Sequence, residues 1–361
     1  MLEKTTPTAL DPAQSTFATF ASDNCAGVCP EAWEMMALAN QGNVPAYGND
    51  PWTKQVHTLI EDIFETRCKV FFTFNGTAAN ALSLASLCQS YHSVIGHQFA
   101  HVETDECGAP EFFSNGTKLL LAPGEHGKLS PEAVEAIVQR RNDVHFPKPR
   151  VVSVTQSTEM GTVYSLDELD AIGEMAQKHK LAFHMDGARF ANAAASLNVP
   201  PKRLTWRRGV DVLCFGGTKN GMAVGDCVVF FREELADEFE YRCKQSGQLA
   251  SKMRFLSAPW VGLLTEDIWL KNARHANQAA QQLEAGLKPL PGVEIRHPVE
   301  SNAVFVKFDP QLAQQLRDKG WKFYDFIGPG ESRLMCPWNV QQHHIDQFLT
   351  DAKSASESLS E

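Results

Sequence analysis

Asp211-Val-Leu-Cys-Phe-Gly-Gly-Thr-Lys219-Asn-Gly221 is an apolar strand that runs straight into two glycines, a hydroxyl and a lysine. Glycines at such a point let the backbone turn tightly and approach a ligand closely. A lysine on the turn can point into a cleft, where burial and neighbouring cations lower its pKa and make it a usable nucleophile. Taken alone, the pattern fits a surface lysine on a loop equally well. The surrounding chain decides between the two.

Upstream, Leu181-Ala-Phe-His-Met-Asp186-Gly-Ala-Arg189 is a second apolar strand, ending in a carboxylate, a glycine and an arginine. In an open α/β sheet the carboxyl edge is where ligands bind, so a strand-end aspartate there is a candidate contact as well as a candidate helix cap. Further upstream, Phe72-Thr-Phe-Asn75-Gly76-Thr77-Ala-Ala-Asn80 carries a strand into a helix start. A helix N-terminus offers free N–H groups and the positive end of a dipole, which suits a phosphate. A phosphate cradle, a carboxylate and a lysine, in that order, meet the needs of pyridoxal phosphate (PLP). Its ring draws electrons from a substrate carbon only when a carboxylate keeps the pyridine nitrogen protonated.

The flanking segments alternate in the same way. Residues 70–74, 151–155, 181–185, 210–215 and 227–231 are short apolar runs suited to buried strands. Residues 30–40, 52–67, 78–89 and 166–178 read as helices, the first opened by Pro30. Strands alternating with helices predict an α/β layered fold, with a mainly parallel sheet between helices. From 233 to about 275 the pattern is helical and long. Beyond it, strands at 293–296, 303–308 and 333–336 interleave with helices and predict a smaller C-terminal α+β domain. The chain thus divides into an N-terminal segment over 1–50 that contributes to the site, a large cofactor-binding domain over 51–274, and a small domain over 275–361. The Ser-rich tail after Ala352 is expected to fray.

Bulk properties exclude several classes. A length of 361 residues suits two domains. The net charge of -10 argues against a nucleic-acid surface. No apolar run approaches the roughly 20 residues that span a bilayer, and the polar leader from Met1 to Thr16 does not read as a secretory signal. Nine irregularly spaced cysteines argue against a disulfide framework. Cys25 and Cys29 have no second pair at zinc-site spacing, so no metal is expected. These features predict a reduced, cytoplasmic, soluble protein with no nucleic-acid or membrane partner.

Further motifs stand in order along the chain: Ser22-Asp23-Asn24, Ala46-Tyr47-Gly48-Asn49-Asp50-Pro51, and Ala100-His101 followed by Glu106, Gly108 and Ala109. With the Asn75-Gly76-Thr77 turn, His184-Met-Asp186-Gly-Ala-Arg189 and Lys219, they resemble the threonine aldolase family of fold-type-I PLP enzymes, a group that includes related β-eliminating lyases. The resemblance runs from about Phe20 to about Pro337. It implies the PLP-dependent transferase-like fold of type I. It also implies that Lys219 forms the Schiff base, that Asp186 pairs with the pyridine nitrogen, and that Gly76 and Thr77 bind the phosphate. His101 is implied to stack on the cofactor ring and to move protons. Arg189, also at the cofactor, is implied to bind the substrate carboxylate with Arg333 and Ser22, since a guanidinium fork meets a carboxylate in two hydrogen bonds. Tyr47 at the substrate and Arg254 at the cofactor phosphate are implied to act across a subunit boundary, in a homo-oligomer, dimer or tetramer.

The implied reaction is retro-aldol cleavage of L-threonine, L-allo-threonine and related β-hydroxy-α-amino acids, with phenylserine as an option, to glycine and an aldehyde. A base must take the β-hydroxyl proton. Many relatives carry a histidine in a Glu-Asn-Thr-His segment after the middle strand. Here the stretch reads Thr155-Gln156-Ser157-Thr158-Glu159-Met160-Gly161, with no histidine. His101, a bound water and His126 stand as candidates, with none preferred. Apolar bulk at Phe112, Phe113 and Trp206 raises the question of aromatic substrates. β-Elimination on another amino acid is the alternative with the same cofactor. A non-catalytic PLP-fold binding protein is disfavoured because a binder has no need of Lys219. A nucleotide-binding α/β protein is disfavoured because the early strands lack a Gly-rich phosphate loop.

Overall fold

Seven strands make one sheet: β1 (Lys69–Thr73), β2 (His92–His97), β3 (Lys118–Ala122), β4 (Lys148–Thr155), β5 (Ala182–Gly187), β6 (Val212–Gly216) and β7 (Asp226–Phe230). Their order is β1-β7-β6-β5-β4-β2-β3. All neighbouring pairs are parallel except those of β7, which runs antiparallel to β1 and to β6. The computed structural model that shows this describes residues 20–326 and 330–360. The leader from Met1 to Thr16 lies outside them.

β5 and β6 are buried along their whole length. Their unbroken apolar runs follow from having both faces of the sheet covered. The helices are α1 (Pro30–Ala39), α2 (Pro51–Phe64), α3 (Gly76–Leu87), α4 (His101–Thr104), α5 (Ala109–Phe113), α6 (Pro131–Arg140), α7 (Leu166–His179), α8 (Phe190–Leu197), α9 (Phe239–Gln245), α10 (Arg254–Leu264), α11 (Ile268–Leu287), α12 (Pro310–Asp318) and α13 (Gln342–Glu357). Because strand side chains alternate, Val151, Ala182, Val212 and Val228 pack with α3 and α9 on one face. Val152, Phe183, Met185, Leu213 and Val229 pack with α2, α7, α8 and α10 on the other. Phe215, on β6, has its ring 5.0 Å from Trp260, 5.4 Å from Phe190 and 5.5 Å from Trp269. This aromatic cluster anchors the strand that ends at the Lys219 turn.

Four shorter strands, β8 (Val293–Ile295), β9 (Ala303–Phe308), β10 (Tyr324–Asp325) and β11 (Glu331–Met335), form an antiparallel sheet in the order β10-β11-β9-β8. It packs against α12 and α13 around a second core. α11 joins the two cores: Trp269 and Ala273 belong to the first, and Ala279, Ala280, Leu283 and Leu287 to the second. The N-terminal segment docks on this smaller sheet, where Phe20 N–H donates to the Lys322 carbonyl and the Phe20 carbonyl accepts from Met335 N–H, at 3.0 and 2.7 Å.

Several expectations need correction. The stretch over 233–275 is not one long helix. Gly247, at φ +78°, lies between α9 and α10, and Glu266 and Asp267, also at positive φ, lie between α10 and α11. The tail after Ala352 does not fray: α13 runs to Glu357 and buries Ile345, Phe348, Ala352 and Ala355 at helical spacing. Serine-rich composition hides an amphipathic helix there. Strands β2 and β3 and helix α6 went unread, because His92 and His97 break the apolar run of β2 and β3 is a short edge strand. Among the described residues no helix is long and apolar enough to cross a membrane, and all nine cysteines are free.

Candidate active site

The sheet topology brings the candidate residues together. β2, β4, β5 and β6 are parallel, so the segments after their carboxyl ends share one edge. β1 is antiparallel to β7, which is antiparallel to β6, so β1 also ends at that edge. Asn75–Thr77, His101, Glu159, Arg189 and Lys219 all follow one of these five ends within a few residues. A cavity of 180 Å³ there is lined by Asn75, Gly76, Thr77, Asn80, His101, Asp186 and Lys219, among others. Larger clefts, of 500 and 720 Å³, lie elsewhere and contain none of the strand-end chemistry except Asn75. The smaller cavity is where the chemistry converges.

Asp186 is buried at the end of β5. Its carboxylate accepts from Asn80 Nδ2 at 2.9 Å and from Ala188 N–H at 2.9 Å. Asn80 Nδ2 also donates to Glu106 at 2.8 Å, and Glu106 is 2.9 Å from His101 Nδ1. A chain of four side chains therefore fixes the imidazole relative to the strand-end carboxylate. Burial works against a charged His101, yet the Glu106 hydrogen bond and the charges of Glu159 and Asp186 outweigh it and raise its pKa. Beneath them lies His184, fully buried between Ser153 (2.9 Å) and Ser83 (3.1 Å), where burial lowers its pKa to about 4 and keeps it neutral. That neutral ring floors the site with hydrogen bonds.

Lys219 stands half-buried on the turn after β6. The turn is pinned by Asp226, whose carboxylate accepts from Gly217 N–H at 2.9 Å and Thr218 N–H at 3.3 Å. A second strap is Cys29 N–H donating to the Gly221 carbonyl at 2.8 Å. On the opposite wall α3 begins at Gly76, capped by Asn75, whose side chain accepts from Ala78 N–H. The Gly76 and Thr77 N–H groups therefore head the helix without an intrahelical partner. A Cβ at Gly76 would come within 3.2 Å of the Asp226 carboxylate, so the cradle is closely walled.

The two arginines are held differently. Arg189 is buried in a two-pronged pair with Asp23: Nε to Oδ2 at 2.7 Å and Nη2 to Oδ1 at 3.0 Å. Asn302 Nδ2 adds a third bond to Asp23 at 3.1 Å. Arg333, on β11, has a buried Nε with no partner among the described residues and lies 4.5 Å over the Phe326 ring. Burial, and next the nearby Arg189 charge, lower its pKa. Ser22 caps the short turn Asp23–Cys25 and accepts from Asn24 N–H at 3.1 Å.

Not every residue singled out from the sequence reaches this cleft within one chain. Tyr47 is about half exposed, at φ +55°, and lines the 500 Å³ cleft beside His57 and Met253. Arg254 opens α10 with a buried, unpartnered Nε. His126 pairs with His297, Nδ1 to Nδ1 at 3.0 Å. Phe112 is exposed, Phe113 packs in the α3 core, and Trp206 donates from Nε1 to the Phe64 carbonyl. None of the three lines the Lys219 cavity. Asn80 and Asp226 line the cavity, and Asp23 pairs with Arg189, without any local sequence signal that marks them as site residues. Asp226 sits at the amino end of an antiparallel strand, where sequence reading expects no site.

The residues fit PLP. A primary amine, a buried carboxylate already hydrogen-bonded to an amide, an imidazole, and two unpartnered N–H groups at a helix start surround one cavity. Among the described residues, the buried Asn80 Oδ1 and Glu106 Oε2 atoms have no hydrogen-bond partner.

Comparison with known proteins agrees with this chemistry. Residues 19–310 match the beta-eliminating lyase family model. The chain is 56% identical over 335 residues to a low specificity L-threonine aldolase of a Pseudomonas species, covering 93% of this chain and 97% of that one. It is 57% identical over 334 residues to the low specificity L-threonine aldolase of Pseudomonas aeruginosa, covering 92% and 96%. Among solved structures, the threonine aldolase of Leishmania major superposes with a TM-score of 0.88 at 26% identity, covering 93% of this chain and 98% of that chain. The chain therefore belongs to the beta-eliminating lyase family, a family of pyridoxal-phosphate enzymes that includes the threonine aldolases.

Proposed function

We propose that the chain cleaves L-threonine, L-allo-threonine and related β-hydroxy-α-amino acids to glycine and an aldehyde, with Lys219 as the cofactor-bearing residue. The observation behind this reading is the single cavity where Lys219, Asp186, His101 and the Gly76–Thr77 helix start converge. PLP, when bound, supplies the sink for the electron pair released from the substrate Cα–Cβ bond. Asp186 keeps a proton on the ring nitrogen, and the Gly76 and Thr77 N–H groups bind the phosphate. His101, fixed by Glu106, covers the ring.

Arg333, Arg189 and Ser22 bind the substrate carboxylate and so set the direction of the Cα–Cβ bond. Asp23 already takes Nε and Nη2 of Arg189, which leaves Nη1 as the free prong of a rigid fork. Arg333 arrives from the other sheet with its Nε unpaired. Two converging guanidinium groups of this kind suit a carboxylate better than a neutral ligand.

The active form in this reading is a cytoplasmic homo-oligomer, dimer or tetramer, in which Tyr47 and Arg254 serve the neighbouring subunit's substrate and phosphate. The exposed Tyr47 ring, which lines an open cleft away from its own chain's Lys219 cavity, supports it. The proposed division between 51–274 and 275–361 falls within α11, whose halves sit in different cores.

Mixing the PLP-loaded protein with L-threonine and with L-allo-threonine tests the reaction. Equimolar glycine and acetaldehyde are expected; a keto acid with ammonia would establish β-elimination instead. Asp186→Asn is expected to retain the cofactor and lose about 10²- to 10³-fold in kcat, because charge developing on the ring loses its preorganised partner. Turnover within threefold of wild type at unchanged KM would remove Asp186 from this role.

A further inference from the structure

The loop after β4 carries a largely buried carboxylate, Glu159, that makes no hydrogen bond or ion pair among the described residues. Almost every other polar group of the loop has a partner. The Gln156 side chain donates to the Tyr164 carbonyl and accepts from Tyr164 N–H, both at 3.0 Å. Thr158 and Thr162 hydroxyls both donate to the His126 carbonyl, at 3.1 and 2.7 Å. Ser301 Oγ donates to the Gly161 carbonyl at 2.9 Å, and Val163 N–H to Glu300 at 2.7 Å. Gly161 adopts φ +75°, and a Cβ there would come within 3.1 Å of Ala303, so the loop is locked to the smaller sheet. Two side chains are left over. Ser157 Oγ is buried without a partner, and Glu159, only 8% exposed, makes no hydrogen bond or ion pair among the described residues.

Glu159 is placed among the groups that matter. Its charge acts on His101, on Arg189 and on Arg333. It is not needed to neutralise Arg189, which Asp23 already pairs on two prongs. A carboxylate on a rigid loop, mostly covered and with no protein partner, is free to accept a hydrogen bond from a ligand. The remaining polar group of a β-hydroxy-α-amino acid, once its carboxylate is on the arginines and its amine at Lys219, is the β-hydroxyl. His101 is the less apt acceptor, since its Glu106 bond favours the protonated ring.

We propose that Glu159 receives the substrate β-hydroxyl and is the base that takes its proton. This rests on the aldol reading above. The O–H bond breaks toward a Glu159 oxygen, and its electron pair becomes the second bond of the aldehyde carbonyl. The Cα–Cβ bond breaks, and its pair remains on the glycine fragment, whose Cα then takes a proton from solvent. Glu159 returns its proton to solvent, so the sum is substrate to glycine plus aldehyde.

Glu159→Gln tests this alongside wild type, each loaded with PLP. Three quantities are measured: threonine cleavage, exchange of the glycine α-proton with deuterated water, and cofactor affinity by fluorescence titration. Glycine has no β-hydroxyl, so its exchange reads the lysine, the ring and the arginines without the base. The expected result is a fall of at least about 100-fold in kcat for threonine, with glycine exchange and cofactor affinity within twofold of wild type. Threonine cleavage that stays within threefold overturns the assignment. Parallel loss of glycine exchange also overturns it, by making Glu159 a group that positions the arginines. Glu159→Asp, which keeps the charge one methylene short, should recover part of the lost kcat; recovery no better than Gln counts against a base. A wild type that cleaves neither threonine nor allo-threonine overturns the aldol reading together with this one.

Discussion

Lys219→Ala is expected to abolish cleavage, by at least about 10³-fold, and to remove the yellow lysine-linked cofactor band while the protein stays folded. The fold should survive because the backbone of the turn is held without the lysine. Asp226 takes Gly217 N–H and Thr218 N–H, and Gly221 is strapped to Cys29. The Lys219 side chain is half-buried and makes no hydrogen bond among the described residues. Its loss removes a charge that favours ionised Asp23 and Asp226 but no backbone bond, so unfolding free energy should fall by about 1 kcal/mol. Absorbance, turnover and a urea unfolding curve on one preparation check all three statements. Near-normal turnover with an unchanged visible band would remove Lys219 from its role, and an unfolded variant would show that the turn relies on the side chain.

Asp23→Asn should be the most damaging substitution away from the lysine. Burial pushes the Asp23 carboxyl up, but the Arg189 charge and hydrogen bonds, with Lys219 and Asn302, outweigh it and leave it below its ordinary 3.8. The pair ties three distant parts of the chain: the N-terminal segment, the turn after β5, and Asn302 beside the smaller sheet. Removing one charge of a buried pair strands the other, which costs about 3 kcal/mol or more. Denaturant unfolding should show that loss, and KM for threonine should rise as Arg189 leaves its fixed plane. The sign with pH follows from the lowered pKa. Ionised Asp23 contributes fully above about 3.8 and its contribution fades as pH falls through the lower folded-state value. The wild-type advantage over the variant should shrink below that pH, measured by unfolding across the acid range. A difference under about 1 kcal/mol at neutral pH would mean that the pair is not an anchor.

Much of this molecule was legible along the chain, for identifiable reasons. The turns at Gly76 and Lys219 and the strand end at Asp186 are local: an apolar run, then glycine, then one chemistry-bearing side chain. Their common cavity follows from the parallel order of the strands, which alternating helices make predictable. β2 and β3 escaped because a histidine-flanked strand and a short edge strand carry weak periodicity. The helical tail escaped because composition outweighed spacing.

By itself, the sequence determined the layered α/β fold, the three strand-end motifs and the chemistry they share, because each is encoded within about ten consecutive residues. Tertiary structure alone decided what each charge is for. Asp23 reaches Arg189 across 166 positions and Asn302 across 279. Glu159 has no hydrogen-bond partner among the described residues, on a loop held against the smaller sheet by Ser301 and Glu300. Whether a carboxylate neutralises an arginine or waits for a substrate depends on which groups the fold brings within hydrogen-bonding distance, and spacing along the chain carries no record of that.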